Sequence, residues 1–80
     1  MADININHKL DCSGMLCPMP VVKTRKALKS MEIGEILEMI STDAGAMPDM
    51  HAWAKQTGHD LLEAKDEGNN LYRFIIKKTH

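Results

Sequence analysis

Two prolines one residue apart, Pro18 and Pro20, constrain the fold of this chain more than any other feature. Proline has no backbone N–H and clashes with the preceding turn of a helix, so it is tolerated only in the first helical turn, where N–H groups have no intrahelical acceptor. Downstream, residues recur at helical spacing. The residues that share one face are Val21, Thr24, Leu28 and Met31. The pattern predicts a helix that starts at Pro18, with Cys17 as its N-cap.

An alternating segment precedes this helix. Ile4, Ile6, His8, Leu10 and Cys12 alternate with polar residues, which is the period of a half-buried strand. Ser13 and Gly14 then form a turn signal. We therefore predict a first strand in which Cys12 faces the core as a small apolar side chain.

Three further strands and one helix are predicted downstream. A short apolar segment, 35–40, follows Gly34 and reads as the second strand, and Pro48 can begin a second helix that Gly58 ends. The face of that helix is formed by Met50, Trp53, Ala54 and Thr57. Segments 61–64 and 71–76 are strand-like, and the turn residues 66–70 between them predict a hairpin.

The predicted element order is therefore βαβαββ. Since crossovers between parallel strands are right-handed, both helices should lie on one face of a four-stranded mixed sheet. The expected fold is an α+β, two-layer α/β sandwich.

The length and composition predict one small domain. Eighty residues is about half of an ordinary domain of ~150, so we expect residues 1–80 to form a single domain. The chain is 44% apolar and 26% charged, which is typical of a folded protein. No apolar run approaches the ~18 residues of a membrane span, and the first residues lack the features of a signal peptide. We expect a cytoplasmic protein with reduced cysteines, since two cysteines are too few for a disulfide scaffold.

Cys17 is the candidate reactive residue. By residue type alone, cysteine is more often buried than reactive. Cysteine is, however, a poor N-cap compared with Ser, Thr, Asp or Asn, so a purely structural role does not explain its presence at this position well. A thiolate at a helix start lies at the positive end of the helix dipole, and Lys23 and Arg25 follow within two turns. The position predicts a lowered thiol pKa and a nucleophile without a general base.

Metal and hydrolase sites are not indicated. Cys12 and Cys17 have no matching downstream ligand pair at short spacing, so we predict no zinc site and no cofactor. The four histidines, His8, His51, His59 and His80, are expected on the surface or in loops. No Ser-His-Asp hydrolase signature or Gly-rich phosphate loop is present.

Charge is unevenly distributed along the chain. The net charge is −1, which argues against general attraction to nucleic acid. The predicted first helix carries Lys23, Arg25, Lys26 and Lys29 without an acid, whereas residues 32–68 hold nine acids and two lysines. We predict that this basic helix forms a partner-binding surface beside Cys17.

Cys17-Pro18-Met19-Pro20, preceded by Leu10-Asp11 and Gly14, resembles the CPxP signature of the TusA/SirA sulfur-carrier family. The similarity continues in 41–45, 53–62 and 72–78, so it covers nearly the whole chain. It implies a βαβαββ sandwich and a cytoplasmic protein that carries sulfane sulfur as a persulfide on Cys17. By position, Arg25 matches a basic helix residue of the family and Asp43 matches an acid after the second strand, both associated with partner handling.

The resemblance implies partners on both sides of the transfer. The donor would be a cysteine desulfurase or a rhodanese-like protein, and the acceptor a sulfurtransferase. Separately, we expect no direct nucleic-acid or membrane partner and a monomeric protein. Met19 stands where some tRNA-thiolation members have Glu, and Ala44 where many members have Pro. The pathway therefore stays open between tRNA thiolation, cofactor sulfuration and sulfur oxidation.

The residues by themselves leave two alternatives from other classes. One is a thiol redox switch that uses Cys12 and Cys17. The other is a protein or RNA interaction module in which the basic helix is the binding surface.

Overall fold

The computed structural model describes residues 5–80 and contains four strands and two helices. They are β1 His8–Cys12, α1 Met19–Lys29, β2 Ile36–Ser41, α2 Ala46–Thr57, β3 Asp60–Gly68 and β4 Leu71–Lys77. The predicted order βαβαββ is confirmed.

The strands form one mixed sheet in the order β1-β2-β4-β3. β1 and β2 are parallel and are joined through α1, whereas β4 is antiparallel to both β2 and β3. The register of the β3–β4 pair shifts between Leu61 and Glu63 and again between Asp66 and Gly68. β1 and β3 are therefore the two outer strands, and β3 is an irregular one.

The core lies between the two helices and one face of the sheet. Alternate residues of the two central strands face it, and they are Leu37, Met39, Ser41, Phe74 and Ile76. The helices contribute Thr24, Leu28, Met50, Trp53 and Ala54 to the same buried layer. This confirms the two-layer sandwich, and Cys12, at 0% exposure, lies in the core as predicted.

Both helices begin at residues other than those predicted. α1 starts at Met19 with Pro18 as its N-cap, so the prediction that Cys17 caps the helix is wrong by one residue. α2 starts at Ala46, two residues before Pro48. The reason is that several N–H groups at a helix start lack intrahelical acceptors, so a proline fits anywhere in the first turn and does not mark its first residue.

The strands also differ at their ends. β3 runs on to Gly68, so the predicted five-residue hairpin loop is a turn of two residues, Asn69 and Asn70, at φ +54° and +60°. β2 begins at Ile36, one residue later than predicted.

The predicted first strand is shorter in the structure, where β1 begins at His8. Ile4 lies outside the described residues. His8 is exposed and its Nε2 lies 2.9 Å from Glu35 Oε1, so this position at the start of an outer strand does not face the core as the alternation predicted.

Neither α1 nor α2, the helices of the described chain, has the length and apolar character needed to cross a lipid bilayer.

Candidate functional site

Cys17 lies on the loop that connects β1 to α1, and this loop is shaped by two of the predicted support residues. Asp11 Oδ1 accepts a hydrogen bond from the Ser13 N–H at 2.9 Å, and the bonds from Ser13 lower the pKa of the Asp11 carboxyl. Gly14 follows at φ +79°, a backbone conformation that favours glycine, and its N–H donates to Thr42 Oγ1 at 2.8 Å. The turn is thereby tied to the loop after β2.

Asp43 fixes the backbone of Cys17. Its carboxylate accepts the Cys17 N–H at 2.7 Å and the Gly45 N–H at 3.1 Å, and its own N–H donates to Ser41 Oγ at 3.1 Å. Asp43 is half-buried in the loop between β2 and α2. Asp43, which the family resemblance associates with partner handling, therefore holds the Cys17 loop in place.

The Cys17 thiol points toward α2. Cys17 is exposed, and its Sγ donates a hydrogen bond to Asp49 Oδ2 in the first turn of that helix. Sequence reasoning missed Asp49. An acid near a helix start is ordinarily explained by the helix dipole, and nothing in the local sequence connects this one to a cysteine 32 positions earlier.

The predicted lowering of the Cys17 pKa is wrong. The hydrogen bond to Asp49 raises the pKa of the thiol, desolvation by the neighbouring groups adds to the rise, and the charges of Asp49 and Asp43 act in the same direction. The dipole prediction considered only the helix that follows Cys17. In the structure Pro18 and Pro20 leave fewer N–H donors there, and two carboxylates approach from the neighbouring loop and helix.

The cations of α1 do not contact the thiol. Arg25, Lys26 and Lys29 are exposed and Lys23 is half-buried, and among residues 5–80 no hydrogen bond or ion pair joins them to Cys17. Lys23 instead acts on Cys12, whose thiol pKa is raised chiefly by burial and slightly opposed by this lysine. The structure thus brings Asp43 to Cys17 but leaves the predicted basic surface separate from the sulfur atom.

A cleft of about 240 Å³ opens beside the thiol. It is lined by Cys17, Pro18, Val21, Asp49, Ala52, Trp53 and Gln56. Its walls are mainly apolar, and Asp49 is the charged residue in this set. Exposed apolar side chains, Leu16, Met19 and Val22, lie on the loop and on α1 close in sequence to Cys17.

Trp53 connects the cleft to a stack of aromatic rings. The Trp53 ring lies 5.7 Å from the ring of His59, which in turn stacks on His80 at 4.3 Å. His59 is half-buried, and the His59 ring Nδ1 accepts the Thr79 N–H at 3.2 Å. Within the described part of the chain, no three His, Cys, Asp or Glu side chains lie close enough together to hold a metal ion.

Comparison with known proteins gives a family for this fold and site. The model of the family described as Sulfurtransferase TusA matches residues 8–78. The chain is 54% identical to YrkI of Bacillus subtilis over 69 residues, which are 86% of this chain and 91% of that protein. It is 44% identical to the sulfur carrier protein TusA of Allochromatium vinosum over 79 residues, which are 99% of this chain and 100% of the relative.

A solved structure supports the fold independently. The crystal structure of the SirA-like protein from Desulfitobacterium hafniense superposes with a TM-score of 0.78 and covers 91% of this chain and 99% of that one. At 22% identity this likeness bears on the fold alone. The family match spans β1 to the end of β4 and includes Cys17 and both prolines. The chain belongs to the TusA family.

Proposed function

We propose that this chain is a sulfur carrier that accepts sulfane sulfur as a persulfide on Cys17 and passes it to a partner protein. The observation that carries this proposal is the presentation of Cys17: an exposed thiol on a loop held by hydrogen bonds through Gly14 and Asp43. Transfer requires two sulfur atoms of different proteins to approach closely, so an exposed thiol on a fixed loop suits the reaction. The name of the Allochromatium relative agrees with this role.

The transfer is a thiol exchange without net oxidation. The Cys17 thiolate attacks the outer sulfur of the donor persulfide, a new S–S bond forms, and the donor's S–S bond breaks as its cysteine leaves as a thiolate. In the second transfer an acceptor thiolate attacks the outer sulfur held on Cys17. Cys17 then leaves as a thiolate and takes up a proton. Each step conserves the sulfane sulfur and needs no cofactor.

The neighbouring residues have supporting roles in this proposal. Pro18 and Pro20 stiffen the start of α1, while Asp11 and Gly14 shape the turn before it. The exposed side chains of α1 would steer the partner protein. The partner-binding set is Lys23, Arg25 and Lys26, together with Asp43 at the loop after β2.

We further propose that residues 1–80 act as one monomeric carrier domain in the cytoplasm, where the reducing environment keeps a carrier thiol free. The donor would be a cysteine desulfurase or a rhodanese-like protein, and the acceptor a sulfurtransferase. Neither nucleic acid nor membrane is a direct partner in this scheme.

The redox-switch alternative is disfavoured by the place of Cys12. Its side chain is fully buried in the core, whereas Cys17 is exposed. Burial also raises the pKa of the Cys12 thiol, so Cys12 forms the thiolate needed for disulfide exchange less readily. A buried second thiol also suits a carrier, because an accessible one would discharge the persulfide.

Intact mass spectrometry after prolonged incubation with a small uncharged persulfide donor tests the proposal. We expect a gain of about 32 Da, the mass of one sulfur atom, and peptide mapping should place it on Cys17. Cys17→Ser should not load, and Cys12→Ala should load nearly as well as the parent. Loading of Cys17→Ser, or an adduct mapped to Cys12, would show that the assignment is wrong.

A further inference from the structure

The charges around the Cys17 thiol are of one sign. Reactive cysteines usually lie beside cations, which stabilise the thiolate. Here Asp49 of α2 contacts the sulfur directly, and Asp43 of the β2–α2 loop binds the backbone of the same residue. Among the described residues, these two carboxylates are the charged groups that act on the Cys17 thiol.

The contact with Asp49 requires a protonated partner. A carboxylate only accepts hydrogen bonds, so the Cys17 Sγ must supply the hydrogen. A thiolate has no hydrogen to donate and would face a negative charge at contact distance. The geometry therefore belongs to the thiol form, and the raised pKa of Cys17 agrees with it.

We propose, on the basis of the sulfur-carrier function above, that Asp49 keeps the unloaded Cys17 in its thiol form until a donor protein places a cationic side chain against Asp49. The cation would donate hydrogen bonds to the Asp49 carboxylate and neutralise the negative charge that opposes ionisation of the Cys17 thiol. The Cys17 proton then leaves to solvent, and the thiolate is free to attack the donor persulfide. Asp49 acts as a gate that a partner of suitable charge opens.

The cleft gives such a cation a place to bind. It opens beside Cys17, Asp49 is its charged lining residue, and its other walls are mainly apolar. Its volume of about 240 Å³ leaves room for the end of one Lys or Arg side chain. Apolar walls suit the methylene stem of such a side chain while its charged end reaches the carboxylate.

The arrangement gives selectivity to the carrier. Oxidants and electrophiles react with the thiolate rather than the thiol, so an undocked carrier is protected from them. Ionisation would occur chiefly where a cationic donor is already in place. An anionic small molecule would gain no such access, because it would approach two carboxylates.

The first test measures alkylation of Cys17 by iodoacetamide, an uncharged reagent, across a pH series, with peptide mapping to exclude Cys12. We expect Asp49→Asn to move the rate profile to lower pH. A tenfold gain in thiolate fraction should raise the rate at neutral pH about threefold, because nucleophilicity falls as the thiolate becomes less basic.

Two variants control this measurement. Asp60→Asn, which removes an exposed acid beyond the far end of α2, should leave the profile unchanged. Asp49→Glu retains the carboxylate and should keep a profile close to that of the parent. If Asp49→Asn alkylates like the parent while circular dichroism shows an intact fold, the proposed role of Asp49 is overturned.

The second test needs no variant of the site. Aminoethyl methanethiosulfonate is cationic and its sulfonatoethyl analogue is anionic, and both form a mixed disulfide with a thiolate while a sulfinate leaves. The parent should react several-fold faster with the cationic reagent, and Asp49→Asn should lose most of that preference. Equal rates of the parent with both reagents would overturn the inference.

These assays report on the thiol itself and not on sulfur transfer. A shifted profile in Asp49→Asn with no sulfur loading on Cys17 would uphold the gate and reject the carrier assignment. Normal sulfur loading with an unshifted alkylation profile would uphold the carrier assignment and reject the proposed role of Asp49.

Discussion

Replacing Asp43 with alanine should loosen the Cys17 loop while leaving the packing of the core intact. The carboxylate accepts the backbone N–H groups of Cys17 and Gly45 at 2.7 and 3.1 Å. Hydrogen bonds to a charged group contribute about 1.5–3 kcal/mol each. Cys17 is exposed, so water can replace its lost acceptor, and the lower value of about 1.5 kcal/mol is appropriate for that bond.

Amide hydrogen exchange measures this loss at the residue concerned. About 1.5 kcal/mol corresponds to exchange of the Cys17 amide that is about tenfold faster in Asp43→Ala. Asp43→Asn keeps an oxygen acceptor without the charge, so its effect should be smaller. Urea unfolding should show a loss of about 1–2 kcal/mol for the alanine variant, because the contact joins two loops and leaves the core untouched.

Asp60→Ala serves as the matched control, since Asp60 is exposed and lies after the far end of α2. Unchanged exchange at Cys17 in Asp43→Ala would refute a positioning role. Slower sulfur transfer with normal amide protection would instead place Asp43 on the partner surface.

Three further outcomes are expected. Lys23→Glu combined with Lys26→Glu should slow sulfur transfer with a partner protein about tenfold at low salt, with less effect at high salt and on a small uncharged donor; equal rates at both salt concentrations would make α1 a scaffold only. Burial, followed by the charge of His80, lowers the pKa of His59 in the folded state, so the unfolded chain binds more protons and stability should fall as the pH drops below about 6.5. Urea unfolding at several pH values should show a flatter dependence for His59→Gln, and an unchanged slope would contradict this assignment. Asn70→Val places a β-branched residue at φ +60° and should cost about 1–2 kcal/mol in urea unfolding, whereas an unchanged midpoint would mean that the turn relaxes.

Local sequence signals were sufficient for the arrangement of elements. Gly58 after α2 and the short apolar segment that became β2 each reflect interactions within a short segment, and the structure has the corresponding elements. Boundaries were less predictable because first-turn prolines are compatible with several starting residues, as Pro48 shows. The two-residue turn at Asn69 and Asn70 was missed because asparagine is common both in tight turns with positive φ and in longer loops. Its presence therefore does not indicate the length of the connection.

The choice of Cys17 as the candidate residue was possible from the sequence, whereas its electrostatic setting was not. Cys17 follows a predicted strand and a glycine turn, and it precedes two prolines. All of these features are visible along the chain. Asp49 reaches the thiol only because α2 lies beside α1 in the folded sandwich, and such tertiary proximity leaves no periodic trace in one sequence. The sign of the pKa shift depended on that contact, so the dipole of α1 alone gave the wrong direction.

The two breaks in register on β3 bear on how copies of this protein behave at high concentration. An outer strand with a regular row of free N–H and C=O groups can recruit the strand of another chain and start aggregation. The shifts at Leu61/Glu63 and Asp66/Gly68 interrupt that row, because a bulge bends the strand and takes its groups out of line. At the other side of the sheet β1 is only five residues long and exposes Lys9 and Asp11. Extension of the sheet from one molecule into the next is therefore disfavoured at both sides, which lets the protein stay dispersed while its thiol remains open to other molecules.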